Sequence, residues 1–175
     1  VKLLAKHKGE LRHRVASAMT LKYAPELRFR PDELDYLASL RFIKSDFIDF
    51  LRIFQFQRAF IEARAEGGTL SIVARGPQVH VMGFEIFVLA IVNELYFRRF
   101  DAAAALANGR ERLAAKVRQL QELAQQATLR HPFELFDFGL RRRYSGAWQR
   151  EVVQTFAQQT PQWFKGTSNV LLARD

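Results

Sequence analysis

The 175 residues, 49% of them hydrophobic, supply enough apolar material for one ordinary domain or two small ones, which excludes a disordered tail. The net charge of +9 and the isoelectric point near 10.3 point to nucleic acid, an acidic membrane surface or a small polyanion such as a phosphate ester, and charge alone does not choose among them. The absence of cysteine removes disulfides, thiolate metal sites and a thiol nucleophile together, and fits a reducing compartment, with the cytoplasm as the expected location.

From Lys2 to Tyr23, Leu3, Leu4, Leu11, Val15 and Met19 fall at helical spacing with basic residues between them, which predicts an amphipathic helix with a cationic outer face. "RPDELDYLASL" then opens a helix with Pro31 in its first turn, and Asp32, Glu33 and Asp35 read as acids favoured at a helix start rather than as catalysts. "KSDFIDFLRIF" offers Ser45 as the N-cap of a second, paired helix. Alternation of apolar and polar residues, broken at Gly67-Gly68 and Gly76-Pro77, predicts antiparallel strands Phe60 to Ala65, Leu70 to Arg75 and Val79 to Met82. Gly83 to Phe97 is the most apolar stretch; short of the roughly 20 residues of a membrane span and carrying Glu85 and Glu94, it predicts a buried helix from Phe84 to Phe97. Asp101 to Ala127 predicts one long helix or two abutting ones, with Asn108-Gly109 as the potential break.

The remainder follows a different order. "FELFDFG" reads as a short strand, "SGAWQREVVQTFAQQ" as a helix, "QWFKG" as a second strand and "TSNVLLAR" as the start of another helix. Strand, helix, strand, helix builds a parallel sheet or barrel, and ligands of such folds sit beyond the C-terminal strand ends. "GLRRRYS" and "GTSN" both fall on that edge, so Arg141, Arg142 and Arg143 are expected to share a rim with Gly166, Thr167, Ser168 and Asn169. A glycine and small hydroxyl residues before a helix suit an anion, and arginine adds permanently charged bidentate donors. A solvated arginine turn and a simple helix cap explain the same residues, and Phe138 taken alone reads as core. His7, His13, His80 and His131 stand apart from any ligand-spaced partner, so no metal site is expected, and no dinucleotide-binding or P-loop glycine pattern occurs.

"FELFDFGLRRRYS" followed by "WFKGTSNVLLAR" resembles the nicotinate phosphoribosyltransferase family. "LDYLASLRFIKSDFIDFLRIFQF" and "GTLSIVARGPQVHVMGFEIFVLAIVNELYFR" resemble that family's upstream segments in the same order, so the resemblance runs from about Leu21 to Arg174. It implies an α/β fold: an α+β N-terminal domain over residues 1–100, then, over 101–175, a long helix and the first βαβα units of an incomplete type II phosphoribosyltransferase barrel. It implies transfer of phosphoribose from phosphoribosyl pyrophosphate to nicotinate in NAD salvage, with ATP coupling, Mg²⁺ and a homodimer. By position, Phe138 resembles the aromatic that stacks on the pyridine ring, and Arg141 the arginine near its substituent and the phosphoribosyl group. Ser168 stands where the related amide-using enzyme has an aspartate; a hydroxyl donates to a carboxylate that an aspartate would repel.

The family's coupling histidine and most of its phosphoribosyl-binding residues match nothing here, so no catalytic residue is assigned within the chain. A start at Val1 without methionine, and a stop in a helix just begun, lead to the expectation of a piece of a longer enzyme, inactive by itself. The competing reading is a basic module whose N-terminal helix and arginine triplet meet nucleic acid phosphates, with steep salt dependence and no preference for nicotinate.

Overall fold

The computed structural model describes residues 28–125, 131 and 133–174; the helix expected from Lys2 to Tyr23, with His7 and His13, lies outside them. The chain divides into two compact units, Val1–Glu85 and Ile86–Asp175, a division that falls earlier than the boundary after residue 100 expected from sequence.

In the first unit, α1 (Pro31–Ser39) opens on a proline whose fixed φ suits the first helical position, and Glu33 reaches back to accept from Arg30 N at 2.8 Å. The second helix, α2 (Ser45–Ile53), starts one residue earlier than expected: Lys44, with extended backbone, holds the cap position and Ser45 is already helical. Leu34, Ile48 and Leu51 are buried, and Phe29, Phe50 and Phe56 gather around buried Phe54 at ring separations of 6.4, 5.3 and 4.8 Å. Each such pair adds about 0.5–1.5 kcal/mol beyond the area it buries. A hairpin of β1 (Ile61–Glu66) and β2 (Thr69–Ala74) turns through Gly67 and Gly68, both at positive φ, as a two-residue turn matched to strand twist requires.

Val79 to Met82 is not the third strand that alternation suggested. It forms the short helix α3 (Gln78–Val81), whose His80 and Val81 amides donate back to Pro77 O at 2.9 and 3.2 Å. A run of four apolar and polar residues fits either period, and Pro77 sets the cap from which the helical turn grows.

The helix α4 (Phe84–Phe97) has the expected limits but not the expected burial. Phe84 and Ala90 are buried, whereas Ile86, Phe87, Leu89 and Ile91 are exposed. Gln78–Phe97 as a whole is long and apolar enough, by length and composition alone, to cross a membrane, where the sequence suggested a shorter stretch; core helices of soluble proteins pass the same test.

In the second unit, α5 (Ala102–Gln125) is one continuous helix, capped by Asp101, whose Oδ1 accepts from Ala103 N at 2.9 Å. It does not break at Asn108-Gly109. Gly109 instead lets the Trp148 indole approach, since a Cβ there would lie 3.0 Å from the ring. The strand β3 (Leu135–Asp137) leads through a 3₁₀ turn, Leu140–Arg142, to α6 (Gly146–Gln159), then β4 (Phe164–Thr167) and α7 (Val170–Arg174). Ser145 caps α6, its hydroxyl accepting from Trp148 N at 3.1 Å. The α5 helix runs alongside α6 in the same direction: Arg110 pairs with Glu151, and Gln121 Nε2 donates to Gln159 O at 3.2 Å. As the residue order implied, β3 and β4 pair in parallel.

Candidate functional site

Parallel pairing brings the C-terminal ends of β3 and β4 to one edge. Asp137 lies opposite Thr167, so the next residue of each strand, Phe138 and Ser168, leaves the sheet beside the other, and Ser168 N donates to Asp137 O at 2.9 Å. The register slips between Leu135 and Phe136, leaving Lys165 as an extra residue opposite them. Gly166, just past the slip, has φ of +150°, a conformation close to glycine-only.

A carboxylate that the sequence did not single out organises this edge. Asp137 Oδ2 accepts from Thr167 Oγ1 at 2.7 Å and from Gln149 Nε2 at 2.8 Å, while Oδ1 accepts from Gly139 N at 3.2 Å. Asn169 Nδ2 donates to Gln149 Oε1 at 3.2 Å, and Asn169 N to Thr167 Oγ1 at 3.0 Å. Gln149 and Asn169 are buried, so the network satisfies polar groups that would otherwise be costly. A Cβ on Gly139 would fall 2.9 Å from Asp137 Oδ1, which is why the turn after β3 begins with glycine.

The network changes the roles expected of the "GTSN" turn. Ser168 N and Asn169 N are both engaged within the protein and are not offered to an anion, and Thr167 and Asn169 tie the two strand ends together through their side chains. The Ser168 side chain is exposed at the rim. Phe138 is 75% exposed, so the core reading of that ring is overturned.

The three arginines differ. Arg143 Nε and Nη2 both approach Glu94 Oε1 at 2.8 Å, and that oxygen also accepts from Gly146 N at 3.1 Å. With side-chain exposures of 23% and 24%, this half-buried pair anchors the turn to α4. Arg142 is exposed, its amide donating to Gly139 O at 2.9 Å to close the 3₁₀ turn. Arg141 is half-buried, and its carbonyl accepts from Asn93 Nδ2 at 2.8 Å. Beside the rim, a groove of about 370 Å³ between α6, β4 and α7 is lined by Val153, Phe164, Gly166, Thr167 and Leu172 among others, and reaches two of the expected site residues. His131 is exposed, and His80 stacks on Phe54 in the first unit.

Residues 7–93 match the family described as nicotinate phosphoribosyltransferase (NAPRTase) N-terminal domain, and residues 133–175 the nicotinate phosphoribosyltransferase (NAPRTase) family. A nicotinate phosphoribosyltransferase of Herminiimonas arsenicoxydans is 62% identical over 148 residues, 85% of this chain and 37% of that protein. One of Neisseria meningitidis serogroup A is 52% identical over 151 residues, 85% of this chain and 38% of its own length. The crystal structure of a nicotinate phosphoribosyltransferase from Vibrio cholerae superposes with a TM-score of 0.77 at 30% identity, covering 97% of this chain and 39% of that one. The chain thus spans about two fifths of the length of the relatives it matches.

Proposed function

Because the chain belongs to the nicotinate phosphoribosyltransferase family, we propose that it carries the nicotinate-facing part of an enzyme that forms nicotinate mononucleotide from nicotinate and phosphoribosyl pyrophosphate in NAD salvage. The observation that carries the reading is the shared rim: Phe138 and Ser168 leave paired strand ends side by side, with the Arg141 turn directly after Phe138.

In the reaction the pyridine nitrogen forms a bond to the ribose anomeric carbon as the bond from that carbon to pyrophosphate breaks, through an oxocarbenium-like transition state. The ring nitrogen attacks with its own lone pair, so no base is needed there. The task of these residues is to bind and orient. Exposed Phe138 offers a face for the pyridine ring, the Arg141 guanidinium answers its carboxylate or the phosphoribosyl group, and the Ser168 hydroxyl donates to the carboxylate. Arg142 faces solvent at the same turn and is the remaining candidate for phosphate, whereas Arg143 is engaged by Glu94.

ATP coupling, magnesium, a homodimer and a cytoplasmic location belong to this reading as properties of the full-length enzyme. Among the described residues no group of three His, Cys, Asp or Glu side chains is placed to hold a metal ion, and magnesium in this reading travels with the pyrophosphate of the substrate. The arginine triplet is also poorly suited to a nucleic-acid surface, since one of its three charges is neutralised by Glu94.

The test is a selectivity exchange in the full-length gene product. Ser168→Asp places a carboxylate where nicotinate's own carboxylate is read, and is expected to lower kcat/KM for nicotinate by about 10–100-fold, the scale of a lost hydrogen bond to a charged group. It is expected to spare or improve use of nicotinamide. An unchanged preference would remove Ser168 from the site.

A further inference from the structure

The arginine turn is held from α4 by two adjacent polar side chains on a mostly apolar helix. Asn93 Nδ2 donates to Leu89 O at 2.9 Å, one turn back on its own helix, and to Arg141 O at 2.8 Å. The first bond fixes the amide against the helix, so the second presents a fixed donor to the turn. Glu94 gathers three donors on Oε1, two from Arg143 and one from Gly146 N. A third restraint lies before Arg141, where Gly139 N donates to Asp137 Oδ1. The backbone of Arg141 is therefore restrained on both sides and at its own carbonyl. A surface turn with three arginines in a row would without these restraints sample many geometries, because three long, like-charged side chains repel one another.

We propose that Asn93 and Glu94 are positioning residues for Arg141: they fix the turn so that its guanidinium meets the anionic substrate in one orientation, and Arg143 serves as the tether through which Glu94 acts. This assignment rests on the reading of Arg141 as a substrate-binding residue. Asn93 and Glu94 lie 48 and 49 residues before their partners in the chain, and the Asn93 bond is to the carbonyl of Arg141, not to its guanidinium.

The experiment is a double-mutant cycle in the full-length gene product, with steady-state kinetics for nicotinate and phosphoribosyl pyrophosphate. Asn93→Leu keeps the size of the side chain and removes both donors. It is expected to lower kcat/KM by about 10–100-fold, mostly through KM, as misplacement of a binding group does. Added to Arg141→Ala it is expected to cost almost nothing further, while added to Arg142→Ala it costs its full amount. A loss of equal size in both backgrounds, or no loss in the unaltered background, overturns the proposal, because a purely structural role is indifferent to Arg141. Should Asn93→Leu not fold, Glu94→Gln, which keeps an acceptor for Gly146 N and removes the charge facing Arg143, is read in the same cycle. Absence of turnover by the unaltered product overturns the functional reading and this assignment with it; turnover with an additive cycle overturns this assignment alone.

Discussion

Asp137 sits at the C-terminal end of β3 and receives Thr167, Gln149 and Gly139 on its two carboxylate oxygens. An asparagine has one acceptor oxygen and would turn its NH₂ toward donors. Asp137→Asn is therefore expected to cost about 1–3 kcal/mol, the scale of unsatisfied buried polar groups, and to lower the midpoint of thermal unfolding. A melting curve equal to that of the unaltered protein would mean that the network does not hold the strand ends. Asp137 could not be singled out from sequence, since its partners Gln149 and Thr167 lie 12 and 30 residues away and are joined to it only by the fold. Ser168 was legible as a rim residue because a strand followed by glycine and hydroxyl residues marks a strand end, whereas Phe138 read as core from the residues alone, since an aromatic at the end of an apolar run carries no signal that it will stay exposed. The split among the three arginines was not legible, because identical side chains in a row carry no signal of which one will meet Glu94.

At the scale of elements, α5 and α6 are joined by packing, with Gly109 against Trp148, and by an ion pair, in which Arg110 Nε and Nη2 donate to Glu151 at 2.6 and 3.0 Å. Those bonds hold the Glu151 carboxyl below its usual range, the hydrogen bond from Arg110 being the largest cause. A carboxyl with a lowered pKa in the folded state contributes stability that is present above its unfolded pKa, about 4.3, and lost as pH falls through the folded one. Arg110→Ala is expected to lower the unfolding temperature slightly at neutral pH, with the difference fading below about pH 4 and in about 1 M salt. A difference that persists at pH 3 would assign the effect to packing of the arginine stem instead. The strand-helix-strand-helix order after residue 133 was readable because short apolar runs alternate there with longer mixed stretches. The region around Val79 was not, because four residues after a proline fit a strand or a single helical turn equally. The high apolar content of α4 likewise suggested a buried helix, whereas burial is decided by what packs against a helix and not by its composition.

For the molecule as a whole, family membership and fold are established for a chain that spans about two fifths of its relatives' length. In the second unit, Ile86, Leu89, Ile91 and Phe100 are exposed, as are Phe136 and Phe138 on β3 and at its end. The residues proposed to face nicotinate, Phe138, Arg141 and Ser168, lie on the rim at the C-terminal ends of β3 and β4 and on the turn that follows β3. The measurement that bears most directly on function is formation of nicotinate mononucleotide by the full-length gene product, supplied with nicotinate, phosphoribosyl pyrophosphate, ATP and Mg²⁺, beside its Arg141→Ala variant. Turnover by the unaltered protein and a fall of about 10–100-fold in kcat/KM on Arg141→Ala are expected. Absence of turnover, or turnover indifferent to Arg141, would contradict the assignment of this rim to nicotinate.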